Sequence, residues 1–303
     1  MLLFKKSNAS IMKKKIILIF LNLFSILIFS QDYKGYIKEY NSNNNIQFVN
    51  ILNKTKNAYT FSDENGKFLI PANLGDTLIF SHINYTKKEI NLTQFNDSSS
   101  ILLEPKIYNL EEVIINPHNK SFSYKIGFKK GKNYHRKGIA LNTFYALKIK
   151  NSKELNILKI EIPILFEDEL KYNNQGGFEL QVFTTKQNDL NNNLSPISKR
   201  YYVNINEGMK NLSFEMENPT IIPKEDFYII FNRVIPGDIF NKKSLYSVNP
   251  SLYFRNEGEK GDLVVKNIFS EEWIDFQDYY KNYRATPVPS PLFCFELTVE
   301  EIE

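Results

Sequence analysis

Residues 58–70 read AYTFSDENGKFLI, two short runs of aromatic and β-branched character on either side of Asp63-Glu64-Asn65-Gly66. Asn and Gly tolerate the positive φ that a tight turn demands, so the spacing predicts strands from Ala58 to Ser62 and from Lys67 to Ile70, joined as a hairpin. The connector's acids supply too few ligands at alternate positions for a calcium loop. The same rhythm continues in both directions. A short apolar run gives way to an Asn, Asp, Gly or Pro cluster at spacings of about 8 to 12 residues, with almost no sustained helical periodicity. The chain is therefore predicted to be all-β.

Around that stretch the pattern gives strands over 33–39, 46–52, 77–82, 86–92, 100–103 and 110–115. After Asn116-Pro117-His118-Asn119 the runs lengthen and the loops become irregular. Strands are expected over 155–166, 178–185, 200–205, 212–216, 227–231, 251–255, 263–267 and 293–299, and the polar segments 187–195 and 284–291 are expected to be surface loops. The 303 residues accommodate two domains. They are expected to be a small Greek-key β-sandwich over 31–117 and a larger jelly-roll-like β-sandwich over 118–303. At its size the first would bury only about 60% of its unfolded surface, so it is expected to fold alone but weakly.

Residues 12–30 read MKKKIILIFLNLFSILIFS: three lysines, fourteen largely apolar residues from Ile16 to Phe29, then a small residue. That is the plan of a secretory signal peptide, expected over 1–30 and cleaved near Ser30. The apolar run is shorter than the roughly 18 to 20 residues a spanning helix needs, so no stable transmembrane anchor is expected after cleavage. Met12 serves as a start as well as Met1. The formal charge of +4 is concentrated in this segment, which holds five of the 38 basic residues and no acid; 33 basic residues face 34 acids in the remainder. A nucleic-acid footprint is absent. The single cysteine, Cys294, excludes an intramolecular disulfide and reads as a small hydrophobe in a last strand.

The segment from Tyr33 to Asn116 resembles the carboxypeptidase regulatory-like domain. The residues that carry the resemblance are Gly35-Tyr36-Ile37, Phe48-Val49-Asn50-Ile51, the turn from Thr60 to Phe68, the run from Gly75 to Tyr85, and Leu110-Glu111-Glu112-Val113-Ile114-Ile115. Asn84 stands where the family often has Gly, so the turn there is expected to place an Asn at positive φ. The resemblance implies a Greek-key sandwich with no activity of its own, of the kind found at the N-terminus of envelope proteins in Gram-negative bacteria. The remainder resembles uncharacterised jelly-roll-like envelope domains, which implies a fold and no function.

Catalytic equipment is sparse. None of His82, His118 and His135 has a carboxylate three residues on, so the zinc set of a carboxypeptidase is missing and neither metal nor cofactor is expected. His82 is expected to be a hydrogen-bonded strand residue, and His118 and His135 solvated loop residues. There is no Gly-x-Ser-x-Gly elbow and no phosphate-cradling glycine loop. Two acidic groups, Glu167-Asp168-Glu169 and Glu271, Glu272, Asp275 and Asp278, leave open a hydrolase of polysaccharide or peptide using paired carboxylates.

One stretch differs in texture. From Trp273 to Arg284, WIDFQDYYKNYR mixes the sole Trp and three Tyr with Asp, Asn, Gln and Arg. Such a mixture suits stacking on a sugar ring while its hydroxyls are hydrogen-bonded, which makes Trp273, Tyr279, Tyr280, Tyr283 and Arg284 the candidate ligand-binding residues. A lid capping the sandwich would use the same residues. The sequence thus reads as a non-enzymatic exported module of the periplasm or cell surface, binding or scaffolding a glycan or an envelope protein.

Overall fold

The computed structural model describes residues 32–93, 99–106, 123–128, 134–141, 143–166, 176–185, 189–191, 193–206, 208–237, 240–241, 248–256, 258–268, 270, 272–281 and 292–302. The signal-like segment, the strand expected over 110–115, His118, and the acids 167–169 and Glu271 lie outside these residues. The first part of the chain forms β1 (Asp32–Glu39), β2 (Asn50–Asn53), β3 (Ala58–Phe61), β4 (Lys67–Pro71), β5 (Thr77–His82), β6 (Tyr85–Asn91) and β7 (Ser99–Leu103). Next come β8 (Ser123–Phe128), β9 (His135–Ile139), β10 (Thr143–Ile149), β11 (Leu155–Leu165), β12 (Gly177–Thr185), β13 (Leu194–Pro196), β14 (Tyr201–Asn204), β15 (Asn211–Ile222) and β16 (Phe227–Val234). The chain closes with β17 (Phe240–Asn241), β18 (Val248–Arg255), β19 (Leu263–Asn267), β20 (Ile274–Asp275), helix α1 (Phe276–Lys281), β21 (Leu292–Phe293) and β22 (Phe295–Glu301). The fold is all-β, its sheets packed as sandwiches.

Four sheets stack face to face. Their strand orders are β4-β1-β7; β17-β3-β2-β5-β6; β13-β12-β16-β10-β19-β20, with β14 on β12; and β21-β18-β11-β22-β8, with β15 on β11 and β9 on β18. Three apolar cores fill the spaces between them. Strand side chains alternate between faces, and the two inner sheets are apolar on both. Thus Ile51, Leu78 and Phe80 of the second sheet enter the first core, whereas Leu52, Tyr59, Phe61 and Ile79 enter the middle one. In the third sheet Phe144, Ala146, Tyr228 and Ile230 point to the middle core, and Tyr145, Leu147, Ile229 and Phe231 point to the last.

The middle core belongs to both halves of the chain, so the seam between them is packed like a domain interior. The pairing of β17 with β3, Phe240 opposite Tyr59 and Asn241 opposite Ala58, lays a piece of the second half along the edge of the first half's sheet. Phe48 adds to the seam from an unusual backbone: its φ is 57°, and its buried ring stacks on Tyr202 with centroids 4.2 Å apart. A bulky residue rarely occupies that region. Ser62 secures it, its carbonyl accepting from the Phe48 N–H at 3.2 Å and its hydroxyl from the Val49 N–H at 2.9 Å.

Several expectations are corrected. Asp63-Glu64-Asn65-Gly66 is a turn, but β3 and β4 are not hairpin partners: β3 pairs with β2, and β4 with β1. All of β3 is buried between two layers, while Phe68 and Ile70 of β4 face β3's sheet from across the first core, so the chain changes sheets at the turn. Gly66 sits at φ 72°, and a Cβ there would lie 2.7 Å from the Ile37 carbonyl oxygen. Asn84 does not take a positive φ; among the described residues without glycine's freedom only Asn43, Phe48 and Asn57 do. The 187–195 segment is not merely a surface loop, since Leu190 is buried and β13 pairs with β12. His135 is in a strand rather than a loop, though it is exposed. Cys294 is buried.

Candidate functional site

On the side away from β17 the second and third sheets part, leaving a cleft of about 1040 Å³ between the two halves of the chain. One wall is the end of β5 and the outer strand β6, with Thr86, Lys87 and Glu89, continued by Glu104, Pro105 and Lys106 just past β7. The other carries Phe144 of β10, Leu190, Asn191, Asn193, Leu194 and Ser195, Lys266 of β19, Ser270 and Trp273. Strand pairing explains this second wall. Phe144 lies opposite Lys266, and the residue before Lys266, Val265, lies opposite Ile274, which follows Trp273. Phe144, Lys266 and Trp273 all line the cleft. The Asn191 side-chain oxygen accepts the Trp273 backbone N–H at 2.9 Å and ties the 190s segment to the start of β20.

Behind His82, which lines the cleft, three ionisable side chains meet across the seam. His82 ends β5 with its side chain 1% exposed, and Glu179 of β12 is 5% exposed. Arg200 Nη1 donates to Glu179 Oε1 at 3.1 Å and lies 2.6 Å from His82 Nε2, which is itself 3.6 Å from Glu179 Oε1. The Asn84 backbone N–H donates to His82 Nδ1 at 3.1 Å, which makes Nδ1 the acceptor and leaves the ring proton on Nε2. Burial is the main cause that holds the His82 pKa below its usual value, joined by the Arg200 charge; Glu179 offsets only part of this. Burial alone would raise the Glu179 pKa, but the nearby His82 ring and Arg200 guanidinium bring it below the usual carboxylate range. The site is a neutral imidazole beside a compensated ion pair. Beside it Asn84 Nδ2 donates to Gln181 Oε1 at 2.9 Å, a further bond across the seam.

Both ring nitrogens of His82 are engaged, Nδ1 by the Asn84 N–H and Nε2 beside Arg200 and Glu179, so the histidine is poorly placed to act as a general base. Tyr85, also in the wall, donates its hydroxyl to Glu39 at 2.8 Å, and burial with that carboxylate pushes its pKa up to about 12. No group of three or more His, Cys, Asp or Glu side chains suited to a metal ion occurs among the described residues.

The aromatic stretch is divided by the structure. Trp273 lines the cleft and packs against the middle core, whereas Tyr279 packs against the last core, on the other side of the third sheet. The stretch is not one loop: Ile274–Asp275 pairs with β19, and Phe276–Lys281 is a helix whose Phe276 is buried. Tyr280 is a helical position of whose side chain nothing is described, and Tyr283 and Arg284 lie outside the described residues. Two acids of the same region have structural partners. Asp275 accepts the Gly261 and Gln277 N–H groups, and Asp278 pairs with Lys260 and Lys281.

Sequence reasoning found Trp273 and missed its neighbours in the cleft. Asn191, Asn193 and Ser195 read only as polar loop, and Lys266 as an ordinary strand lysine. The usable signal was the apolar pair Leu190 and Leu194 inside an otherwise polar segment, which marks it as anchored at both ends.

Residues 33–115 match the CarboxypepD_reg-like domain, as the motifs from Tyr33 onward implied. No curated protein matches the chain. Among solved structures, the VP2 subviral particle of infectious bursal disease virus aligns over 85% of this chain and 61% of its own at 10% identity, with a TM-score of 0.23. The Gx strain of that virus aligns over 84% and 57% at 10% identity, with a TM-score of 0.22. The chain thus spans about 60% of the chains it aligns with, and likeness at these scores carries no argument about fold or function.

Proposed function

We propose that the protein is an exported, non-catalytic binding module of the cell envelope that holds a glycan in the cleft between its two halves. One observation carries the reading: the only Trp of the chain stands in the wall of the cleft between the two halves, among Asn191, Asn193, Ser195 and Ser270. Indole offers a flat apolar face to a pyranose ring, and amides and hydroxyls around it complement the sugar's hydroxyls in both donor and acceptor roles. A cleft with a few convergent polar groups is the usual form of a small-ligand site, whereas a protein partner would be met by a broader surface. Export is supported by the charge and apolar pattern of residues 12–30, and the envelope by the matched N-terminal family.

Hydrolysis is the weaker reading. A glycosidase sets two carboxylates about 5 to 10 Å apart across the scissile bond. The buried acid near this cleft, Glu179, is engaged by Arg200, and Glu89 lies 3.8 Å from Lys54. The test uses Trp273 as its own reporter. Titration with an oligosaccharide panel should shift or quench the intrinsic Trp emission saturably, with no release of reducing ends. An emission unchanged by every member, or new reducing ends with time, would refute the proposal.

A further inference from the structure

We infer that the turn joining β5 to β6 is an acid-released latch: a second proton on His82 breaks its hold on the turn, detaches the turn from the third sheet and widens the cleft. His82 lies opposite Tyr85, so Ile83 and Asn84 make the connection between the two strands. The Asn84 backbone N–H donates to His82 Nδ1 at 3.1 Å, which requires a lone pair on that nitrogen. An imidazolium carries N–H groups on both nitrogens. Protonation therefore sets two donors against each other, and the Asn84 amide must move away. Nor is the new charge answered at Nε2, where Arg200 Nη1 stands at 2.6 Å and the Glu179 carboxylate, at 3.6 Å, already accepts from Arg200. The ring is buried edge-on to Tyr85, with centroids 5.3 Å apart.

The same turn carries the contacts that close the seam beside the cleft. Ile83 packs against the middle core and lines the cleft, and Asn84 Nδ2 donates to Gln181 Oε1 of β12 at 2.9 Å. At the opposite edge of the second sheet β17 pairs with β3, so the halves stay joined there while the cleft end parts. The charged and titratable groups facing His82 are Glu179 of β12, Arg200 just before β14, Lys106 after β7, and Tyr85 of β6, whose hydroxyl is bonded to Glu39 of β1. Of these, Arg200 and Lys106 disfavour the imidazolium and Glu179 favours it. Burial, joined by the Arg200 charge, holds the His82 pKa below its usual value, so the closed latch binds fewer protons than the open one. Closure is fully favoured above about pH 6.5 and weakens as pH falls from there. The latch operates whatever the cleft holds.

The test is acrylamide quenching of Trp273 emission in the full chain between pH 7.5 and 5, with far-UV circular dichroism followed alongside. Trp273 is the sole Trp and lies half-buried in the cleft wall. Opening should raise its quenching constant roughly two-fold while the dichroism stays unchanged, as expected of a local rather than a global transition. In His82→Gln, whose amide takes no proton in this range, the constant should not respond to pH. A constant that ignores acid in the wild type, or rises equally in the variant, would overturn the latch. So would dichroism lost in step with the quenching, since that is unfolding and not opening. Hydrogen exchange in the wild-type chain, corrected for the intrinsic effect of pH, decides the matter even if the variant does not fold. Residues 82–86 should lose protection in acid while 50–53 and 58–61, toward the β17 edge, keep theirs; equal loss in both would overturn the proposal.

Discussion

Truncating Phe61 to Ala tests whether the two halves of the chain are one cooperative unit. Phe61 is fully buried in the middle core, in edge-on contact with Tyr59 at a centroid distance of 5.3 Å, and is supplied by the first half alone. Removing a buried Phe side chain costs about 3 to 5 kcal/mol. At about 2 °C per kcal/mol for a unit of this size, Tm should fall by roughly 6 to 10 °C. The discriminating feature is where the loss appears. Trp273 belongs to the second half, so its emission reports that half, whereas far-UV circular dichroism reports both. With a shared core, the two signals should melt together and shift together in the variant. If the halves were separate domains in loose contact, dichroism would become biphasic and the Trp273 midpoint would stay where it was. That result would refute the four-layer cooperative stack. The isolated fragment 31–117 extends the same test, because it would expose Phe48, Leu52, Tyr59, Phe61 and Ile79 at once, and it should aggregate or melt without cooperativity.

Acid should weaken the seam. The folded pKa of His82 lies below its unfolded value near 6.5, so the folded state binds fewer protons there: the stabilisation is present above about pH 6.5 and is lost as pH falls from there through the folded value. Tm measured between pH 7.5 and 5.5 should decline, and His82→Gln should flatten the decline; an equal slope in the variant would assign it to other groups. Gly66→Ala should cost about 2 kcal/mol, because it forces an L side chain to φ 72° with its Cβ 2.7 Å from the Ile37 carbonyl, and a chemical-denaturation midpoint equal to wild type would show that the turn relaxes. Mass spectrometry of the chain expressed in a Gram-negative host should find cleavage near Ser30, and an intact Met1 or Met12 terminus would overturn the export proposal.

What the sequence conveyed depended partly on how many faces of a strand are covered, although flanking turn residues also marked the doubly covered β5, expected over 77–82. A strand exposed on one side alternates, and such strands were read almost to the residue: the expected 33–39 and 67–70 correspond to β1 and β4, whose burial alternates. A strand buried on both sides has no polar face to alternate with. The strand β10, TFYALKI, was missed although it is the middle of the third sheet, with Phe144 and Ala146 facing the middle core and Tyr145, Leu147 and Ile149 the last. Local pattern records how many faces of a strand are covered but not which distant segment covers them. The DENG turn shows the same limit: its backbone requirement was readable from Asn and Gly, and the sheet to which each flanking strand belongs was not. The cleft follows from this arrangement. Two sheets held together by Phe48, Tyr59 and Phe61 at one end, and lined by Lys87, Lys266 and Trp273 at the other, place polar side chains from remote parts of the chain around one space. No spacing rule could have gathered Asn191, Lys266 and Trp273 into one site, because only the second apolar face of the third sheet, with the sheet docked on it, brings them to the same cleft.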